Sequence, residues 1–209
     1  MSLEEITSAV IAGQPEKVKE LTQKALDEKI DPDSIINDAF IAGMNVVGKR
    51  FKEGEMYVPE VLMAAKAMSA GMELVKPLVT GQSIPSKGTI VIGTVKGDLH
   101  DIGKNLVAMM LEGSGFEVIN LGVDVAPERF VAVAKEKNAQ IIGMSALLTT
   151  TMLCMKDTIE VLKEEGLRDK IKVIVGGAPV SRDFAEEIGA DGFAPDAGSA
   201  ADLCEEILS

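Results

Sequence analysis

The residues of this chain best suited to chemistry are collected in one segment, Val95-Lys96-Gly97-Asp98-Leu99-His100-Asp101-Ile102-Gly103-Lys104-Asn105. It holds the only histidine, His100, and two carboxylates, Asp98 and Asp101, between Gly97 and Gly103. A neutral imidazole is a common metal ligand, and a carboxylate bonded to its other ring nitrogen fixes the tautomer and strengthens the donor. Asp98, two residues before His100, is spaced for that part. The glycines allow unusual backbone angles or close approach of a ligand. A plainer reading of the same residues is a loop histidine satisfied by its neighbour. A single imidazole excludes the usual His-rich zinc and non-haem iron sites. Cys154 and Cys204 lie far apart, without a Cys-x-x-Cys spacing. A phosphate cradle built on Gly97, Gly103 and Lys104 at a helix N-terminus is a further alternative. The segment matches neither of the glycine-rich nucleotide patterns, and its two carboxylates oppose an anion.

The elements that must position this segment follow from periodicity. From Thr89 onward β-rich runs at Thr89–Thr94, Glu117–Leu121, Gln140–Met144, Lys172–Val175 and Gly192–Ala194 alternate with helix-length segments at 104–113, 126–137, 153–165, 182–188 and 198–208. This alternation predicts a parallel sheet covered on both faces, and five strands suit a flavodoxin-like, doubly wound order of 2-1-3-4-5. Ligands then bind at the carboxyl ends of strands one and three, where the winding reverses. The His100 segment is the loop leaving strand one, and at nearly ten residues it exceeds the usual ~2–6 of such loops.

The first eighty residues are helical in pattern. Leu3 to Ile11 is a short amphipathic run, Pro15 starts a second helix with Val18, Leu21 and Leu26 on one face, and Asp31-Pro32-Asp33 caps a third through Ile36, Phe40, Met44 and Val47. A fourth begins near Val58-Pro59. The expected organisation is a four-helix bundle over 1–80, a linker over 81–88 and an α/β domain over 89–209.

With 46% apolar and 26% charged residues, the 209-residue chain can bury a core and remain soluble. Its formal charge of −12 argues against nucleic acid or an anionic membrane as the main partner. No stretch approaches the ~20 apolar residues of a membrane span, and the acidic N-terminus lacks a secretory signal. A cytoplasmic location is expected.

Asp98-x-His100-x-x-Gly103 after the first strand resembles the signature of the B12-binding domains of cobalamin-dependent methyltransferases and mutases. Three further segments resemble that family in matching order: Ser145-Ala146-Leu147-Leu148-Thr149-Thr150-Thr151, Val175-Gly176-Gly177-Ala178-Pro179 and Phe193-Ala194-Pro195-Asp196-Ala197. The resemblance implies that His100 is the axial ligand to the cobalt of a corrinoid, displacing the cofactor's own base. It places Asp98, Leu99, Asp101, Ile102 and Gly103 around that ligand. Ser145 would bond the displaced base, Leu147 line its slot and Thr149 contact the nucleotide tail. Thr151 would extend a relay His100–Asp98–Thr151, with Thr in place of the family's frequent Ser. Gly176, Gly177 and Ala178 would admit the tail's base, and Phe193, Ala194, Pro195 and Asp196 would lie near the corrin edge. Read without the family, these segments are also a capped helix start and a tight turn.

Gly54 to Ala65 resembles the helical cap of methyltransferase corrinoid proteins, with Tyr57, Val61, Leu62 and Met63 as candidates to cover the upper corrin face; bundle core is the other reading of these side chains. The resemblance spans nearly the whole chain and is greatest to the stand-alone corrinoid proteins of anaerobic methyl transfer. It implies a methyl carrier cycling between Co(I) and methyl-Co(III). The expected partners are a substrate-specific methyltransferase, a second methyltransferase acting on tetrahydrofolate or a thiol, and a reductive activator. A B12-binding sensor, the small subunit of an adenosylcobalamin mutase, and a flavodoxin-like domain carrying flavin or a receiver phosphosite are the rivals. The sensor would need an output module, the mutase subunit would lack the bundle, and the receiver would need a Lys where Phe193-Ala194-Pro195 stands.

Overall fold

The structure is a computed structural model that describes residues 3–79 and 86–209. Residues 81–85, most of the expected linker, lie outside the described residues. The chain divides into two compact units, Met1–Ser86 with Met109–Gly115, and Lys87–Ala108 with Phe116–Ser209.

In the first unit, α1 (Leu3–Ile11) and α2 (Pro15–Asp27) are followed by a continuous helical run over 32–52. That run comprises α3 (Pro32–Ser34), a π-helical stretch Ile35–Ile41, and α4 (Ala42–Lys52). Asp31 opens it as expected, its side chain accepting the Ser34 N–H at 3.1 Å. The π register widens the buried face: Ile35, Ile36, Ala39, Phe40 and Ile41 are all buried within seven residues. In α5 (Val58–Val75) Gly71 leaves room for the Phe40 ring, whose nearest atom would lie 2.5 Å from an added Cβ. The buried stripe of α2 is Val18, Thr22 and Ala25, with Leu21 and Leu26 only half-buried at its margins.

The second unit carries a five-stranded parallel sheet in the order β2-β1-β3-β4-β5. Its strands are β1 (Thr89–Thr94), β2 (Glu117–Asn120), β3 (Ile141–Ser145), β4 (Lys172–Gly176) and β5 (Gly192–Phe193). Between them run α6 (Ile102–Gly113), α7 (Pro127–Glu136), α8 (Leu153–Glu164) and α9 (Arg182–Ile188), with α10 (Ala197–Leu208) last. The central strands are buried on both faces, which explains the near-continuous apolar runs of β1, β3 and β4. A core of Val91, Phe130, Ile142, Met155, Ile159, Leu162, Val173 and Val175 lies between the sheet and its helices. No helix among the described residues is long and apolar enough to cross a membrane.

One expectation changes in detail. Ile102, Gly103, Lys104 and Asn105 already belong to α6, so the loop leaving β1 is shorter than the sequence suggested. The apolar spacing of the helix interior shows where a helix runs but marks its first turn poorly.

Candidate functional site

The site is built at the carboxyl ends of β1 and β3, which pair through Thr94 and Ser145. Beyond β1 the chain turns at Gly97, whose φ of 81° lies in the left-handed region that a side chain disfavours. The Gly97 N–H donates to Asp124 Oδ1 at 2.7 Å. The buried Thr94 hydroxyl donates to the His100 carbonyl at 2.8 Å, tying the loop back to its own strand.

Asp98 is wholly buried and both its oxygens are fully used. Oδ2 accepts from the backbone N–H of Leu147 at 2.7 Å and of Leu148 at 3.2 Å, and from the Thr151 hydroxyl at 3.0 Å. Oδ1 lies 3.1 Å from the His100 N–H and 2.7 Å from His100 Nδ1. Burial by itself would push this carboxyl up. The Leu147 N–H, the His100 ring and N–H, and the Thr151 hydroxyl outweigh it and hold Asp98 well below the usual carboxylate range. With Asp98 ionised, Nδ1 must carry a ring proton, so in the neutral ring the lone pair falls on Nε2. Among the described residues Nε2 has no hydrogen-bond partner, and the side chain is 52% exposed.

The Thr151 hydroxyl has one proton and two acceptors, Asp98 Oδ2 and the Leu148 carbonyl at 2.9 Å. Thr151 is buried, whereas Thr149 is exposed and Ser145 half-buried at the end of β3. The structure therefore brings His100, Asp98 and Thr151 into one hydrogen-bonded set, with the Leu147 and Leu148 amides joined to it.

The remaining candidates divide by what the chain itself asks of them. Gly177, at φ 124°, would place a Cβ 1.9 Å from the Ala146 carbonyl oxygen, and Gly176 would place one 2.8 Å from that of Ala194. Close packing of neighbouring loop backbones thus already requires both glycines. Asp196 is the N-cap of α10, accepting the Ser199 N–H at 2.8 Å. Ala194 is buried beside β5, Phe193 half-buried, and Ala178 and Pro195 exposed. Gly103 is different. Its φ is ordinary, and an added Cβ would meet nothing within 4 Å. No demand within the described chain explains this helical glycine.

Of the cap candidates in the first unit, Val61 is fully buried and serves the bundle core, while Tyr57, Leu62 and Met63 are exposed. Glu60 returns to accept the Tyr57 N–H at 2.8 Å, fixing the start of α5.

Sequence reasoning overlooked several participants. Asp124, between Val123 and Val125, adopts φ 53°, and nothing in its sequence neighbourhood signals that conformation. Leu148 enters through its backbone, which no residue type betrays. Lys104, weighed in the sequence only as part of a phosphate cradle, is instead buried, its amine bonded to Asn120 Oδ1 at 2.8 Å and to Asn105, and burial pushes its pKa down against the pull of Asp101. That network links α6 to the end of β2. Finally, the large apolar side chains exposed in the second unit are Leu99, Ile102, Leu147, Leu148 and Leu153. All lie on the two loops joined by Asp98 or on the first residue of the helix that follows, a clustering invisible until β1 and β3 are adjacent.

This geometry offers one imidazole nitrogen, His100 Nε2, without a hydrogen-bond partner among the described residues, on loops that expose apolar side chains. Comparison with known proteins gives it a context. Residues 88–204 match a family model described as B12 binding domain, and residues 2–76 match a second model of the same description. The chain belongs to the B12-binding family. It is 48% identical over 99% of its length, and 97% of the relative's, to a corrinoid protein of Desulfitobacterium hafniense. It is 48% identical, with the same coverage, to dimethylamine corrinoid protein 1 of Methanosarcina acetivorans. Among solved structures, the methanol:cobalamin methyltransferase complex MtaBC of Methanosarcina barkeri contains a chain with TM-score 0.90 and 34% identity, covering 99% of this chain and 79% of that one.

For a B12-binding protein the cofactor is a corrinoid, and the residues fit it. The donor set is a single imidazole, the surrounding loops present apolar side chains that suit a macrocycle, and Gly103 leaves open space on the first turn of α6.

Proposed function

We propose that this protein is a corrinoid methyl carrier in which His100 Nε2 is the axial ligand to cobalt. In this reading a substrate-specific methyltransferase loads the methyl group, and a second methyltransferase moves it to tetrahydrofolate or a thiol, with a reductive activator restoring the working state. Relatives named for dimethylamine and methanol systems favour a small methylated amine or alcohol as the methyl source. Bound at this site, the corrinoid would supply a cobalt centre that accepts and releases a methyl group.

The chain's own residues would do the rest. Asp98 holds the Nδ1 proton and so keeps Nε2 available as ligand, and Thr151 steadies Asp98 with a hydroxyl that can turn to Leu148. Leu99, Asp101 and Ile102 flank the ligand, and Gly103 admits the macrocycle. Ser145, Leu147 and Thr149 line the slot for the tail. The Gly176-Gly177-Ala178 turn and the Phe193–Asp196 segment shape its far wall through backbone packing. Tyr57, Leu62 and Met63 supply apolar cover from the helical module of residues 1–80, with Val61 holding their helix, and 81–88 link that module to 89–209. Excluding water protects a strongly nucleophilic cobalt centre.

The observation that carries this reading is the free Nε2 of His100, enforced by a fully buried Asp98. Its test is to mix the protein with hydroxocobalamin and record the visible spectrum. One equivalent should bind in the base-off form, with histidine coordination absent in His100→Ala. No uptake, or an identical spectrum for His100→Ala, refutes it. Retention of methylcobalamin rather than adenosylcobalamin then separates a methyl carrier from a mutase subunit.

A further inference from the structure

We propose that Asp124, in the loop after β2, is a positioning residue for the His100–Asp98 pair; its significance for cobalt ligation rests on the function proposed above. Asp124 is held at φ 53°, a left-handed conformation costly to any residue with a side chain and least so to Asp and Asn. From that conformation it makes two bonds to consecutive residues of the His100 loop. Its Oδ1 accepts the Gly97 N–H at 2.7 Å, and its own N–H donates to the Asp98 carbonyl at 3.0 Å. The neighbouring backbone continues the clamp: Val125 N–H donates to the Thr94 carbonyl at 3.0 Å, Thr94 N–H donates to the Gly122 carbonyl at 3.0 Å, and Val95 bridges Val125 in parallel.

The side-chain bond falls at the weakest point of the loop. Gly97, at φ 81°, has the widest conformational freedom of any residue type and no side chain to anchor it. The next residue is Asp98, whose buried carboxylate must meet donors from the β3 loop on one oxygen and His100 on the other. A small rotation at Gly97 would swing Asp98 and break both sets at once. Asp124 limits that rotation. It has no contact with the His100 ring among the bonds described, so its influence passes through the loop backbone.

The test uses the whole protein and needs no cofactor for its first reading. Because His100 is the only histidine, its ring nitrogens give one unambiguous pair of 15N resonances. Under conditions in which the two 15N shifts themselves report a neutral ring, wild type should show the Nδ1–H tautomer alone. Asp124→Gly relieves the left-handed strain but removes the acceptor. Its ring resonances should move toward the tautomer average of free histidine, and Gly97 N–H should exchange at least about tenfold faster, the change expected for losing one hydrogen bond to a charged group. Asp124→Asn keeps an oxygen acceptor and should restore the wild-type pattern. Ring resonances unchanged in Asp124→Gly overturn the proposal. Should that variant not fold, wild type and Asp124→Asn decide: a Gly97 N–H exchanging like a free amide in wild type also overturns it, and a protected one in both proteins, with the same ring resonances, supports it. Uptake of hydroxocobalamin with histidine coordination is then measured separately. Failure of wild type to bind it would count against the methyl-carrier reading and leave the ring result standing.

Discussion

Replacing Asp98 by asparagine exchanges one carboxylate oxygen for an NH2 group in a fully buried position, and the hydrogen-bond pattern dictates how the amide must lie. Three donors converge on Oδ2: the Leu147 and Leu148 N–H groups and the Thr151 hydroxyl. The amide oxygen must take that side, because the opposite orientation would set NH2 against two backbone N–H groups. The NH2 then faces the His100 N–H, now a part-buried donor without a partner, and His100 Nδ1, which must become an acceptor. The ring proton moves to Nε2, the nitrogen needed for cobalt. An unsatisfied donor costs about 1–3 kcal/mol, and loss of charge on the remaining bonds about 1 more. Recovered desolvation of the carboxylate offsets part of this, leaving about 2 kcal/mol, or roughly 4–8 °C in Tm. Because folding lowers the pKa of Asp98, the stability it contributes is present above the unfolded carboxyl value of about 4 and is lost as pH falls through its lower folded value. Asp98→Asn should therefore be the less stable protein at neutral pH and should lack this share of the acid sensitivity. The assays are urea unfolding at neutral and acidic pH, 15N spectra of the single imidazole, and visible spectra after hydroxocobalamin addition. A variant that keeps the Nδ1–H tautomer, full stability and histidine-on cobalt would refute the reasoning.

Thr151→Val should lose about 1 kcal/mol in urea unfolding while Thr151→Ser loses little, since only the hydroxyl reaches Asp98. Gly103→Ala should stabilise the apo protein slightly, by about 0.5 kcal/mol, because alanine favours the helix and its Cβ has open space; the same variant should bind hydroxocobalamin more weakly, and unchanged affinity would remove Gly103 from the site. Gly177→Ala should cost about 3 kcal/mol or more, measured as the shift of the urea midpoint, since its Cβ would meet the Ala146 carbonyl oxygen at 1.9 Å from a backbone angle unsuited to alanine. Burial pushes the Cys204 thiol up to about 12, whereas Cys154 is half-exposed with a smaller upward shift. Thiol titration near neutral pH should therefore label Cys154 alone in the native protein and both cysteines after unfolding.

Much of the fold was legible before any coordinates. The apolar runs of β1, β3 and β4 announce strands buried on both faces, and their alternation with helices leads to the 2-1-3-4-5 order. Helix interiors in the first unit were equally plain at Ile36, Phe40, Met44 and Val47. Helix starts were not, because the first turn of α6 has no apolar spacing to reveal it. The two-residue separation of Asp98 and His100 foretold their contact, since such a short link leaves the side chains within reach. Gly176 and Gly177 were noticed for their type, but the reason for them was hidden: the obstacle to a side chain is backbone from loops distant in sequence.

What the sequence determined alone is therefore local or compositional. It holds one imidazole, one carboxylate spaced to serve it, and a chain patterned for a parallel sheet. What only the tertiary structure decided is the protonation state of that pair and its support. Asp98 stays ionised in a fully buried place because Leu147, Leu148 and Thr151, about fifty residues away, deliver donors to it once β1 and β3 are adjacent. Asp124 reaches Gly97 only because β2 lies on the other side of β1. Hydrogen bonds between loops depend on strand order, and strand order is a property of the whole sheet rather than of any segment within it.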